Sequence, residues 1–215
     1  APNIRKVNHT PEQPASTDPV LVTARVTDPD GLASVSLEYH IITPGDYVPA
    51  RLPLPIVGNN IDTTQTRPDN PDFESDWTTL AMTDNGSNGD ALAGDDLFSA
   101  TLPAAGHRNL IRYRITVTDT VGETARVPYT DDPSLNFAYF VYDGVPTYQG
   151  IDATTMADTL PVYHFLIRNE DYDEAVAYNG SDQINQGVEA RFLYNWNGTM
   201  VYDGNTDRSY VGVVD

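Results

Sequence analysis

The chain of 215 residues predicts a mainly β fold: an antiparallel β-sandwich followed by a small α+β segment of strand, short helix and β-hairpin. Three observations predict it. Short runs rich in Val, Thr and Tyr alternate apolar and polar residues with a period of two. Turn formers punctuate those runs, among them 16 Pro and 15 Gly. After Pro146 the even spacing of strand signals gives way to a strand, helix, hairpin order. Residues 1–145 are therefore assigned to the sandwich, 146–157 to a linker and 158–215 to the second segment. A chain of this length can bury enough apolar surface for one or two domains.

In chain order, strands are predicted over residues 4–8, 20–27, 32–42, 77–82, 96–102, 110–118, 123–128 and 136–142. Val20, Val22, Ala24 and Val26 form one apolar face, and Val35, Leu37, Tyr39 and Ile41 form another. Two such faces packed together make a core about 10 Å thick. Asp28-Pro-Asp-Gly31 and Asp119-Thr-Val-Gly122 supply the turn chemistry between strands, since Pro29 fixes φ and the glycines admit a left-handed backbone. The Pro- and Asn-rich stretch 43–76 has little periodicity and is expected as a long surface loop, with a short edge strand near 54–57. Loops of this length either bind something or move. In the last segment a strand over 162–167 leads through Asn169 into a short helix. A hairpin turn is expected at Asn197-Gly198, and a final strand runs from 210 to 214.

Two stretches of the first part, V-T-D-P-D-G-L-A-S-V-S-L-E-Y (26–39) and R-Y-R-I-T-V-T-D-T-V-G-E-T-A (112–125), resemble bacterial immunoglobulin-like and fibronectin-like modules. The resemblance implies an Ig-like sandwich, although the Cys-Trp-Cys pattern of antibody domains is absent. Any sandwich needs such turns, so the likeness speaks to fold more than to function. Farther on, Leu160-Pro-Val-Tyr-His164 with Asn169, and Trp196-Asn-Gly-Thr-Met-Val-Tyr-Asp-Gly204, resemble the opening of the CotH family. These are bacterial spore-coat and secreted proteins with an atypical protein-kinase fold. In that family an Arg- and Gly-rich segment follows, with the ATP-handling residues beyond it. Here the last residues read Val211-Gly-Val-Val-Asp215, without such an Arg. The resemblance thus implies a bacterial protein that is secreted or on the cell surface, whose kinase-like chemistry lies outside this chain. Tyr163, Phe165, Phe192 and Trp196 are expected to pack against a following C-terminal domain, against the sandwich or against a second copy.

Charge narrows the partners. With 12 Lys and Arg against 31 Asp and Glu, the net charge is −19, and Lys6 is the sole lysine. Such a surface repels phosphate backbones and anionic lipid, so no nucleic-acid partner is expected. No apolar run approaches the roughly 18 residues of a spanning helix, and no membrane insertion is expected. The absence of Cys removes disulfides, zinc thiolates and thiol nucleophiles together.

The sharpest candidate for chemistry is 83–98, T-D-N-G-S-N-G-D-A-L-A-G-D-D-L-F. Set against the calcium-loop pattern D-x-[DN]-x-[DN]-G-x5-E, Asp84 takes the first position, Asn88 the fifth, Gly89 the sixth and Asp95 the twelfth. Gly86 leaves the third ligand unfilled, Asp replaces the final Glu, and no helices flank the loop. The candidate metal ligands are Asp84, Asn88, Asp90 and Asp95, with Asp96 beside them, and calcium is the candidate cofactor. The competing reading is a long turn whose Asp and Asn side chains accept bonds from backbone N–H groups. Residues 68–107 carry eight Asp or Glu and no Lys or Arg, which favours a cation. Should calcium bind outside this loop, Asp28-Pro-Asp-Gly31 is the next place to look.

No catalytic residues are assigned. With so many acids, carboxylate pairs at glycosidase spacing arise by chance, and no motif selects one. His9, His40, His107 and His164 lack close metal-ligand spacing and read as local hydrogen-bonding residues. Neither a nucleophile elbow nor a phosphate-binding loop occurs. Tyr139-Phe-Val-Tyr142 or Tyr194 with Trp196 offer either a sugar platform or core packing. The sequons at Asn8, Asn85, Asn179 and Asn197 matter only in a glycosylating pathway. Two functions follow as expectations. The first is a non-catalytic accessory region that positions a kinase-like domain or binds a surface protein or glycan. The second is a stand-alone carbohydrate- or adhesin-type binding module, stabilised by calcium.

Overall fold

The structure, a computed structural model, describes residues 1–44, 46, 48, 50–52, 56–57, 60–61, 66, 68–132, 135–144, 162–167, 198–203 and 209–214. The chain divides into two compact units, Ala1–Ile42 with Trp77–Ala153, and Thr43–Asp76 with Thr154–Asp215. In order, the strands are β1 (Asn3–Thr10), β2 (Val20–Thr27), β3 (Leu32–Ile42), β4 (Ile56–Val57), β5 (Asn60–Ile61), β6 (Thr78–Ala81) and β7 (Leu97–Leu102). They continue with β8 (Leu110–Asp119), β9 (Thr124–Val127), β10 (Phe137–Phe140), β11 (Val162–Ile167), β12 (Gly198–Asp203) and β13 (Ser209–Val214).

The first unit is an antiparallel β-sandwich, and the described residues are mainly β. One sheet has the order β1-β2-β7. The other runs β6-β3-β8, and both β9 and β10 pair along the remaining edge of β8. Period-two alternation explains the core. Val20, Val22, Ala24 and Val26 of β2 are buried against Val35 and Leu37 of β3 and Ile111, Tyr113, Ile115 and Val117 of β8 in one apolar cluster. The predicted face of β3 breaks at its end. Ile41 is 37% exposed, whereas Ile42 is buried with its cross-strand partner Leu110. There the outer face of the sheet is covered as well.

That covered outer face explains why β8 is buried along most of its length despite two arginines. Arg114 donates from Nε to Glu38 Oε2 at 2.7 Å, and its guanidinium lies 4.2 Å from the centroid of Trp77. A charge removed from water needs such partners, since an unpaired buried charge costs several kcal/mol. Cross-strand register supplies them, because Glu38 stands opposite Arg114.

Strand β1 is one edge of the first sheet. It bulges between Arg5 and Asn8, where Lys6 takes φ 51°. The Tyr129 hydroxyl lies 3.3 Å from Ile4 N and 3.2 Å from Ile4 O. Two turns meet at one end of the β3–β8 pair. The β2–β3 turn holds Gly31 at φ 86°, and the β8–β9 turn holds Gly122 at φ 94°. Thr120 joins them, donating from N to Gly31 O at 3.0 Å and from Oγ1 to Asp30 O at 2.6 Å.

The insertion 43–76 has more local structure than its composition suggests. The short strand expected near 54–57 is Ile56–Val57, and among the described residues it pairs with Asn60–Ile61 inside the insertion and with no other strand. Backbone bonds Leu52 N to Pro68 O (2.8 Å) and Asn70 N to Ala50 O (2.9 Å) close its base. A 3₁₀ turn over Pro71–Glu74 follows, capped by the Asn70 side chain, with Phe73 buried.

In the last segment β11, β12 and β13 form an antiparallel sheet in that order. Gly198 pairs with both Ile167 and Val214, so it opens β12 and does not turn a hairpin between β12 and either partner. The hairpin seen is β12–β13, joined between Asp203 and Ser209. The expected helix after Asn169, residue Asn197 and the side chains of Tyr163, Phe165, Phe192 and Trp196 lie outside what is described.

Candidate functional site

The loop between β6 and β7 is held by its own carboxylates. Its backbone visits the left-handed region at Gly86, Asn88, Gly89, Gly94 and Asp96 (φ 72°, 55°, 96°, 77° and 66°). Such a path leaves many N–H groups without strand partners, and a short side chain with two acceptor oxygens can satisfy several at once. Asp84 does so across the loop: Oδ1 accepts from Gly94 N at 2.6 Å and Asp95 N at 3.3 Å, and Oδ2 from Asp96 N at 2.9 Å. Asp90, buried, accepts from Gly86 N at 2.5 Å and Leu92 N at 3.2 Å. The Gly86 bond holds its carboxyl below the ordinary carboxylate value. Asp95 accepts from Leu97 N at 3.0 Å.

Three of the four predicted ligands converge. One carboxylate oxygen each from Asp84, Asp90 and Asp95 lies within 4.8 Å of the others. Asn88 is exposed, and its backbone carbonyl accepts from Thr101 Oγ1 at 3.4 Å. Asp96 faces Arg25 instead, with Nη2 3.4 Å from Oδ2 in an exposed pair that contributes little. The converging group thus includes Asp84 and Asp95 at the first and twelfth positions of the calcium-loop pattern, with Asp90 between them in sequence.

The chain matches no family model and no curated protein.

A second group of carboxylates, Asp28, Asp30 and Asp119, also has its ligand oxygens within 4.8 Å of one another. Sequence reasoning treated Asp119 only as the start of a turn. The signal it carried was the pairing of D-P-D-G with D-T-V-G, two turns that begin with Asp at the joined end of β3 and β8.

The histidines hold local structure. His9 Nδ1 lies 3.0 Å from Tyr113 Oη and Nε2 3.2 Å from Glu12 O, and burial keeps its pKa below the usual value. His40 sits against Trp77 and 3.4 Å from Arg112 Nη2. His107 Nδ1 accepts from Asp143 N at 3.0 Å. Asp143 in turn is held below the ordinary carboxylate value, chiefly by the Ser16 hydroxyl at 2.6 Å. Tyr139 and Phe140 are 3% and 2% exposed and pack in the core, while half-buried Tyr142 stacks with His107 at 5.6 Å between ring centroids. Tyr194, Trp196 and the surroundings of His164 fall outside the described residues.

Proposed function

We propose that this chain is a non-catalytic accessory region of a secreted or cell-surface protein, in which an Ig-type sandwich positions a CotH-like kinase domain or docks a surface partner. The strand arrangement supports the sandwich part of this reading. The order β1-β2-β7 facing β3-β8-β9 parallels the A-B-E and C-F-G strands of immunoglobulin-type sandwiches. Apolar side chains fill the space between the sheets. His9, His40 and His107 are engaged in hydrogen bonds or ring contacts that fix local structure, which suits a spacer or docking module better than an acid–base catalyst. The likeness of residues 160–204 to the CotH opening supplies the link to a kinase-like parent.

The test is phosphoryl transfer. Incubating the chain with labelled ATP and magnesium or manganese, with generic protein acceptors, is expected to give no labelled product above a protein-free control. Label transferred to acceptor or to the chain itself would overturn the non-catalytic assignment. Selective retention on a glycan array would move the assignment to a carbohydrate-binding module.

A further inference from the structure

We propose that Asp28, Asp30 and Asp119 form a calcium site at the joined turns of β2–β3 and β8–β9. The inference needs only the sandwich, and stands apart from the accessory role.

The geometry begins with register. Leu32 pairs with Asp119 at the end of β3 and β8, and Thr120 bonds the two turns together. This brings one carboxylate oxygen from each of Asp28, Asp30 and Asp119 within 4.8 Å of the others. The independent observation is what two of those side chains lack. The Asp28 side chain is fully buried and Asp119 is 1% exposed. Yet Asp28 Oδ2 and Asp119 Oδ2 accept no hydrogen bond among the described residues. Their other oxygens are used: Asp28 Oδ1 accepts from Asp30 N at 2.8 Å, and Asp119 Oδ1 from Val121 N at 3.0 Å and Glu123 N at 2.8 Å. The terminal ammonium of Ala1, itself exposed, forms an ion pair with Asp28 Oδ2 at 3.7 Å without a hydrogen bond, and Asp119 Oδ2 has no such partner among the described residues.

Buried carboxylate oxygens without donors, beside a third carboxylate, are costly unless a cation joins them. The ligand set selects the ion. Three hard oxygen donors without His or Cys exclude a zinc preference. An irregular trio from two turns suits the flexible coordination of six to eight oxygens around calcium better than the strict octahedron of magnesium. Exposed Asp30 leaves one side for water ligands.

The experiment is thermal unfolding of the chelator-treated full chain in millimolar calcium chloride, in magnesium chloride and in chelator. A ligand that binds the folded form alone raises the melting temperature, here by several degrees in calcium. Asp119→Asn and Asp30→Asn are expected to lose that shift, and Asp84→Asn to keep it. Should Asp119→Asn fail to fold, Asp30→Asn decides, because Asp30 is exposed and its carboxylate accepts no hydrogen bond among the described residues. Equal melting of wild type in calcium and chelator would overturn the site. So would a shift retained in Asp30→Asn and lost in Asp84→Asn, which would put the ion in the β6–β7 loop.

Discussion

The β6–β7 loop and the joined turns at Asp28 and Asp119 use the same residue types to different ends. In the loop, Asp84 spreads its two oxygens over three backbone N–H groups and Asp90 spreads its two over two more. In the joined turns, each of two buried aspartates keeps one oxygen bonded within its own turn and leaves the other without a donor among the described residues. The loop is limited by its backbone, whose many left-handed residues need acceptors to hold them. The turns are limited by charge, because strand pairing presses carboxylates together. Two carboxylate clusters are therefore not chemically equivalent, and the hydrogen bonds they have already made distinguish them.

The largest expected effect breaks the loop side of this comparison. Asp84→Ala removes the acceptor for three N–H groups at once and is expected to cost about 3 kcal/mol. Urea unfolding should show a lower midpoint at unchanged slope, to the same extent with calcium or chelator. A loss confined to calcium buffer would mean that the loop's carboxylates serve an ion first.

Two glycines sharpen the comparison with a smaller effect. Gly89 has φ 96°, and an added Cβ would stand 2.3 Å from Leu21 Cδ1, whereas Gly94 at φ 77° faces open space. Gly94→Ala should cost about 1 kcal/mol for the left-handed backbone alone, and Gly89→Ala about 2 kcal/mol because Leu21 must also move. Equal costs at the two positions would show that Leu21 yields freely and that backbone conformation sets the whole effect.

Acid titration gives the smallest effect and separates the loop from the core. Burial holds His9 below its ordinary value of 6.5. The unfolded chain therefore takes up the proton first, and folding loses stability as pH falls from that value through the folded one. Asp90 is held below 3.8, so its contribution is complete above that pH and disappears as pH falls through the folded value. Denaturation midpoints across the acid range should fall less steeply between about pH 7 and 5 for His9→Gln than for wild type. Parallel curves would show that His9 has the same proton affinity folded and unfolded.

Much of the sandwich was legible because burial on one face of a strand writes itself into alternate residues. Val20–Thr27 and Leu32–Ile42 have the predicted bounds, and the other sandwich strands agree to within about two residues at most ends. What periodicity could not give was pairing. That β9 and β10 share one edge of β8, that Arg114 meets Glu38, and that Asp119 reaches Asp28 all follow from register between residues far apart in sequence. The candidate loop divides the same way. Its Gly and Asp content announced a turn that its own side chains close, but not which backbone N–H groups Asp84 and Asp90 would accept from.

One tyrosine has a consequence for how the molecule meets its neighbours. The outer rim of a sheet invites strand addition, since a row of open N–H and C=O groups can template a second chain. At Ile4 that row is interrupted: a single hydroxyl from Tyr129 occupies both backbone groups, and the bulge at Lys6 bends the rim immediately afterwards. Together they make β1 a poor template for an added strand at Ile4. Losing one phenolic oxygen, as in Tyr129→Phe, would reopen the rim without disturbing the core.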